Sequence, residues 1–215
     1  MARKTKQEAL ETRNRLLDAA EKVFFAKGFA HTTLMDIATA AELTRGAIYW
    51  HFKNKSEIFE AMVERVHLPM ESLAECSPDD QESDPLIRLR EFAIRVLKET
   101  ARNPRRRRVF TILCHKFEFN GEAKALELRQ QAAFMDSTQR VEQSLSSAVA
   151  KGLLPANLDI HKATVAHHAF FTGLISNWLF LPSAFELEAC AEAMVDSYFT
   201  MLVHSPAMRK DQENS

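Results

Sequence analysis

The chain has 215 residues, 28 Lys and Arg against 29 Asp and Glu, a formal charge of −1, and only 5 Gly, 7 Pro and 3 Cys. This length holds one or two domains with a sizeable core, and 46% hydrophobic with 27% charged residues excludes a disordered chain. Twenty-nine Ala and 22 Leu against 10 Val and 8 Ile favour helix and argue against Gly-rich phosphate loops and many-turned β sandwiches.

What is missing narrows the field. Cys76, Cys114 and Cys190 are odd in number and form no CxxC pair, so no zinc site, disulfide framework or cofactor is expected. Met1–Lys6 is basic and polar, without the apolar run of a secretory signal. The most apolar segment, Ala169–Leu181, is broken by Thr172, Ser176 and Asn177 and stops at Pro182. It is shorter than the ~20 residues that cross a bilayer. A cytoplasmic setting without membrane contact is the expectation. No GxSxG, HExxH or phosphate-loop pattern is present.

In chain order, Leu16, Ala19, Ala20, Val23 and Phe24 share one helix face, and Gly28 is its natural stop. Thr33 with Asp36 is a capping-box start for a short helix to Ala41. Thr44 caps a third helix to about His51. Asn54 with Glu57 starts a fourth, with Pro69 near its end. Ser77–Asp84 is polar and acidic and reads as a loop. Pro85 opens a fifth helix ended by Asn103-Pro104, and a sixth covers roughly Arg105–Lys116. A seventh runs from about Glu122 to Lys151, closed by Gly152. Asp159 starts an eighth, ended by Pro182, and Ser183 with Glu186 starts a ninth. Ser205–Ser215 is polar. The fold class is all-α, with a small N-terminal unit, residues 1–55, and a larger bundle, residues 56–215.

The second and third helices have helix-turn-helix dimensions. In such a pair the second helix enters the major groove with its first residues. Its outer side carries Thr44, Arg45, Tyr49, Trp50 and His51, with Lys53 and Lys55 just beyond and Arg3, Lys4 and Lys6 in a basic arm. Taken alone, Tyr49 and Trp50 could equally pack on neighbouring helices.

The string Phe24…Gly28…Thr32-Thr33…Ile37-Ala38…Ala41…Thr44-Arg45-Gly46-Ala47-Ile48-Tyr49-Trp50-His51-Phe52…Lys55 resembles the N-terminal signature of the TetR family of transcriptional regulators. With Ala2–Lys6 and TRGAIYWHF it is most similar to the AcrR and TtgR branch, which represses multidrug efflux operons. His115–Phe119 and Arg129–Gln131 extend the likeness. The resemblance implies a nine-helix fold, a homodimer paired through its last two helices, and a palindromic operator in double-stranded DNA. It implies that Arg45, Gly46 and Ala47 face base edges. Thr33, Thr44, Tyr49, Trp50, His51 and Lys55 then hold phosphates, and Lys4 and Lys6 reach a neighbouring groove or backbone. It also implies a large pocket for hydrophobic or aromatic effectors. By position, the pocket residues are Val66, Leu89, Phe92, Ala93, Val96, Phe110, Cys114, Phe134, Ser137, Val141, His168, Phe171, Thr172, Ile175 and Ser176. Ligand binding displaces the fourth helix through Val66, changes the spacing of the two heads and releases DNA. One departure stands out: Glu42 occupies a turn position where the family usually has Gly. A positive φ there costs a non-Gly residue on the order of 1 kcal/mol.

Two other readings compete. A helical metal enzyme needs a Glu-x-x-His motif from each of two helices; His115 and Glu118 give one reversed copy and His161, His167 and His168 no second one. A helix-turn-helix protein whose bundle binds a protein partner or an unrelated metabolite is the alternative regulator. The run Arg105–Arg108 reads either as a second nucleic-acid patch or as a face neutralised by acids such as those of Ser77–Asp84. The net charge conceals a division: residues 1–55 hold 10 basic and 6 acidic side chains, the rest 18 and 23. A basic head suits phosphate, and an acidic body discourages non-specific adhesion.

Overall fold

The structure is a computed structural model that describes residues 2–66, 84–116 and 124–210. Among these residues the chain forms nine α-helices, a short 3₁₀ turn and no strand beyond an isolated bridge between Leu158 and Arg209. The helices are α1 (Ala2–Lys27), α2 (Leu34–Ala40), α3 (Arg45–His51), α4 (Lys55–Glu64), α5 (Pro85–Arg102), α6 (Pro104–His115), α7 (Lys124–Ala150), α8 (Ile160–Phe180) and α9 (Leu187–His204). The expected basic arm is the first turn of α1 rather than a separate segment, since its residues are all good or neutral helix formers. Pro69, Cys76, most of Ser77–Asp84 and Phe117–Phe119 lie outside the described residues. No described helix is long and apolar enough to cross a membrane.

The chain divides into two compact units, residues 1–67 with 103–129, and residues 68–102 with 130–215. The first therefore holds α1 to α4, α6 and the opening turn of α7. Leu16, Leu17, Ala20 and Phe24 of α1 are fully buried. The rings of Phe24, Phe29 and Phe59 meet at 5.5, 5.7 and 5.4 Å, an aromatic knot joining α1, the following loop and α4. Gly28 takes φ 79°, as expected of a helix stop.

The α2–α3 turn explains itself residue by residue. Thr33 accepts from the Asp36 amide at 3.1 Å, and Asp36 accepts from the Thr33 amide at 2.9 Å, closing the capping box. Lys27 and Thr33 hold the Asp36 carboxyl well below its usual range. At the other end of α2, the Leu43 amide donates to Ala38 and the Glu42 amide to Thr39, while Leu43 packs on the core. This is the Schellman arrangement, which needs a left-handed residue at Glu42, and Glu42 has φ 54°. Gly152 makes the same closure after α7, with φ 70°. One turn thus meets the requirement with Gly, the other against a steric cost of about 1 kcal/mol.

The run Arg105–Arg108 is a latch inside the first unit. Asn103 caps α6 by accepting from the Arg105 and Arg106 amides. Arg105 binds Asp18 at 2.8 Å and Glu21 at 3.3 Å, and Arg108 binds Glu21 at 2.5 Å. Arg65 also reaches Asp18, at 2.7 Å. Arg106 is buried, donates to the Val66 carbonyl at 2.8 Å and lies over the Phe110 ring. The acids that neutralise the run are therefore on α1; those expected from 77–83 lie outside the described residues.

In the second unit α5 packs against α9. Arg90–Asp196, Lys98–Glu192 and Arg102–Glu188 pair at 2.6, 2.5 and 2.6 Å. Rising numbers on α5 meet falling numbers on α9, so the charges fix an antiparallel register. Each of the three carboxylates is held below its ordinary range, chiefly by the hydrogen bond from its partner. Helix α9 buries one stripe, Leu187, Ala191, Val195, Tyr198 and Leu202. Ser183 does not cap that helix. Ala184 turns back onto the Leu181 carbonyl instead, and α9 begins one turn later after Glu186, which makes no side-chain cap.

Candidate nucleic-acid interface and ligand cleft

Helix α3 buries one residue, Ile48, and leaves most of its surface outside. Thr44 is its N-cap, accepting from the Ala47 amide at 3.2 Å. Arg45, Gly46, Tyr49 and Trp50 are exposed, Trp50 by 72%. So large an apolar surface left open on a short helix is a mark of a contact surface. The Arg45 guanidinium stands 5.5 Å from the Tyr49 ring centre, which preorganises it on the outward face. A Cβ on Gly46 would meet only the Thr44 hydroxyl, at 3.9 Å. Internal packing therefore does not require glycine there, and a partner that approaches closely would.

Other expected residues are placed as follows. Thr33 is exposed at the start of α2, its hydroxyl engaged with Asp36. Lys6, Trp50 and His51 line one hollow of about 460 Å³ between α1 and the end of α3. Arg13 lines it too, with its guanidinium 5.2 Å from the Phe52 ring centre. Burial first, and then the Arg13 charge, lower the His51 pKa. Arg13 was missed in sequence; it lies seven residues from Lys6 on the same face of α1, a spacing that could have found it. Lys55 donates to the Phe29 and Ala30 carbonyls at 3.2 and 3.3 Å and lies over the Phe29 ring, so it supports the head's core. The Lys4 side chain lies outside the described residues.

The second unit carries a cleft of about 1220 Å³ between α7 and α8. Of the expected pocket residues it brings together Phe134, His168 and Thr172. Phe134 is 53% exposed, and its ring lies 4.7 Å from the His168 imidazole. His168 is 3.3 Å from the Thr138 hydroxyl, and burial lowers its pKa. The cleft adds Met135, Thr138, Glu142, Thr164, Val165 and Gly173, among others, to the expected set. Ser137, Val141, Phe171, Ile175 and Ser176 belong to the same two helices without lining it. Leu89, Phe92, Ala93 and Val96 lie along α5, with Leu89 and Ala93 buried. Val66, Phe110 and Cys114 belong to the first unit: Val66 is buried, Phe110 packs against that unit's core, and Cys114 is exposed.

Next to the cleft, His167 is half-buried, with both ring nitrogens closed off among His168, Phe171 and Tyr198, and this desolvation pushes its pKa down to about 3. Tyr198 donates to the Ala163 carbonyl at 3.0 Å. Among the described residues no group of three or more His, Cys, Asp or Glu could hold a metal ion.

Comparison with known proteins covers both units. Residues 16–62 match the model of bacterial regulatory proteins of the tetR family, and residues 84–204 that of the C-terminal region of MAATS-type transcriptional repressors. The HTH-type transcriptional regulator TtgR of Pseudomonas putida is 42% identical over 210 residues, 98% of this chain and 100% of TtgR. The crystal structure of NalD, the secondary repressor of the MexAB-OprM multidrug efflux pump in Pseudomonas aeruginosa, is similar with TM-score 0.83 at 34% identity, covering 93% of this chain and 99% of NalD. SmeT, the repressor of the Stenotrophomonas maltophilia efflux pump SmeDEF, is similar in its triclosan complex with TM-score 0.79 at 34% identity, covering 94% and 96%.

Proposed function

The chain belongs to the TetR family of transcriptional regulators, a non-enzymatic family, and from that membership we propose that it is a ligand-responsive repressor of a multidrug efflux operon. The observation that carries the reading is the outward face of α3, where Arg45, Gly46, Tyr49 and Trp50 stand exposed behind a capped turn. Arg45 reads guanine in bidentate fashion, with Gly46 and Ala47 admitting the base edges closely. Thr33, Thr44, Tyr49, Trp50 and His51 hold phosphates, as do Lys4 and Lys6 from the start of α1. Lys55 serves both a phosphate and its two internal carbonyls. DNA recognition is thereby assigned to residues 1–55, and effector binding and dimerisation to residues 56–215. No cofactor is needed, and the protein acts in the cytoplasm, where its DNA is.

Two chains pair through α8 and α9. Phe180 at the end of α8 is 80% exposed, and Leu181 just beyond it and Val203 of α9 are also open. A Cβ at Gly173 would meet nothing within 4 Å, since the residue opens on the α7–α8 cleft rather than on a packed neighbour. Paired heads then meet successive major grooves ~34–36 Å apart on a palindromic operator. The effector enters the α7–α8 cleft over Phe134, His168 and Thr172, and binds better to a state in which the heads have moved from operator spacing. At the end of α4, Val66 is held by Arg106, so α4 and α6 move together. The relatives NalD and SmeT, repressors of multidrug efflux pumps, supply the efflux part of the proposal.

Analytical ultracentrifugation of the protein on a palindromic duplex tests the DNA-bound form. A multiple of two chains per duplex is expected, with affinity falling steeply as salt rises because phosphate contacts release counterions. A single chain bound per palindrome would contradict the paired arrangement.

A further inference from the structure

We propose that the hollow between α1 and the end of α3 seats one phosphodiester of the DNA backbone, with Arg13 as its principal cation; this rests on reading the head as the DNA-binding unit. Lys6, Ala9, Leu10 and Arg13 line the hollow from α1. Steps of three, four and seven residues bring these four side chains to one helix face. Trp50 and His51 close the other side from the last turn of α3. Three basic groups, Lys6, Arg13 and His51, therefore converge, and no Asp or Glu side chain lines the hollow. Cations gathered without an acid repel one another, and an anion seated among them relieves that repulsion.

Arg13 is satisfied differently from Arg15 and Arg65 of the same unit. Arg15 donates to the Ala41 carbonyl at 2.8 Å, and Arg65 pairs with Asp18 at 2.7 Å. The Arg13 side chain is half-buried with its guanidinium over the Phe52 ring, and among the described residues it has no hydrogen-bond acceptor and no carboxylate. Stacking on a ring holds the guanidinium in place and leaves its N–H edges for an outside acceptor. Phosphate oxygens match such an edge in bidentate fashion. Trp50, exposed on the same rim, offers the adjoining deoxyribose an apolar surface. Trp50 and His51 follow Arg45 by five and six residues, about 8–9 Å along the helix axis. That span lies within the major groove's width of about 12 Å, so one helix brings Arg45 to base edges and the hollow to the bounding backbone.

The test is fluorescence anisotropy of the full-length protein on operator and scrambled duplexes across a series of salt concentrations. Arg13→Gln should weaken binding to both duplexes roughly tenfold, because a phosphate contact carries no sequence information. The slope of log K against log salt should become shallower by about 0.9, as expected for one lost phosphate contact. Arg13→Lys, which keeps the charge, should retain the natural slope. An unchanged slope in folded Arg13→Gln would reduce Arg13 to a packing contact for Phe52 and overturn the inference, as would a loss confined to the operator. Lys6→Gln, at an exposed position on the same hollow, carries the test if Arg13→Gln does not fold. The same drop in slope is expected there, and an unchanged slope is again contrary. The natural protein separates this inference from the reading beneath it. Steep salt dependence in the natural protein, matched by the variants, removes only the phosphate seat. Failure of the natural protein to bind either duplex removes the DNA-binding reading as well.

Discussion

Glu21→Ala should lower the free energy of unfolding by about 1–2 kcal/mol, read from urea denaturation. The Glu21 side chain is 3% exposed and faces two guanidiniums, Arg105 at 3.3 Å and Arg108 at 2.5 Å. Removing it leaves two cations packed against α1 with a single remaining acid, Asp18, which already serves Arg65. Arg105 and Arg108 are 40% and 37% exposed, so water recovers part of their solvation and the loss stays below that of a fully buried pair. Asp18→Ala should cost less, since Asp18 is 45% exposed and water can replace it. Salt should weaken the Glu21 effect only in part, because the carboxylate is buried while its two partners are partly exposed. A loss under about 0.5 kcal/mol, the range of an ordinary surface substitution, would show that the latch does not hold α6 to α1.

The second large effect is on recognition rather than stability. Arg45→Ala should weaken operator binding by about 1–3 kcal/mol, while binding to random DNA changes little. Arg45 is exposed with its guanidinium over the Tyr49 ring, so the fold should not notice its loss. Fluorescence anisotropy on operator and scrambled duplexes, at one fixed salt concentration, reads the difference. Equal losses on both duplexes would remove the base-reading role and leave Arg45 as a phosphate contact.

The sequence is most transparent where structure is set locally. The α2–α3 pair could be read from Thr33, Asp36 and Thr44, because caps act within a single turn. The left-handed strain at Glu42 was legible for the same reason, since a Schellman closure depends on two adjacent residues. The net charge of −1 became informative only after division, because a basic head and an acidic body cancel. Long-range pairing was not legible. Arg105 and Arg108 find their acids 87 residues away on α1, and nothing local to the run marks that choice. The cleft lies between these cases. Phe134, His168 and Thr172 come from the right faces of α7 and α8, yet Thr138, not Ser137, lines it with Phe134. A spacing of four stays on one helix face more closely than a spacing of three, so the polar neighbour of Phe134 is one position later than expected.

Operator and effector sites are linked, and calorimetry of triclosan, the ligand in the SmeT complex, with free protein and with operator-saturated protein tests that linkage most directly. Coupling between sites is reciprocal and amounts to about 1–3 kcal/mol in typical regulators, or roughly 5–150-fold. The prediction is that operator DNA weakens the ligand by the same factor by which the ligand weakens operator DNA. Identical ligand affinity with and without operator would contradict it.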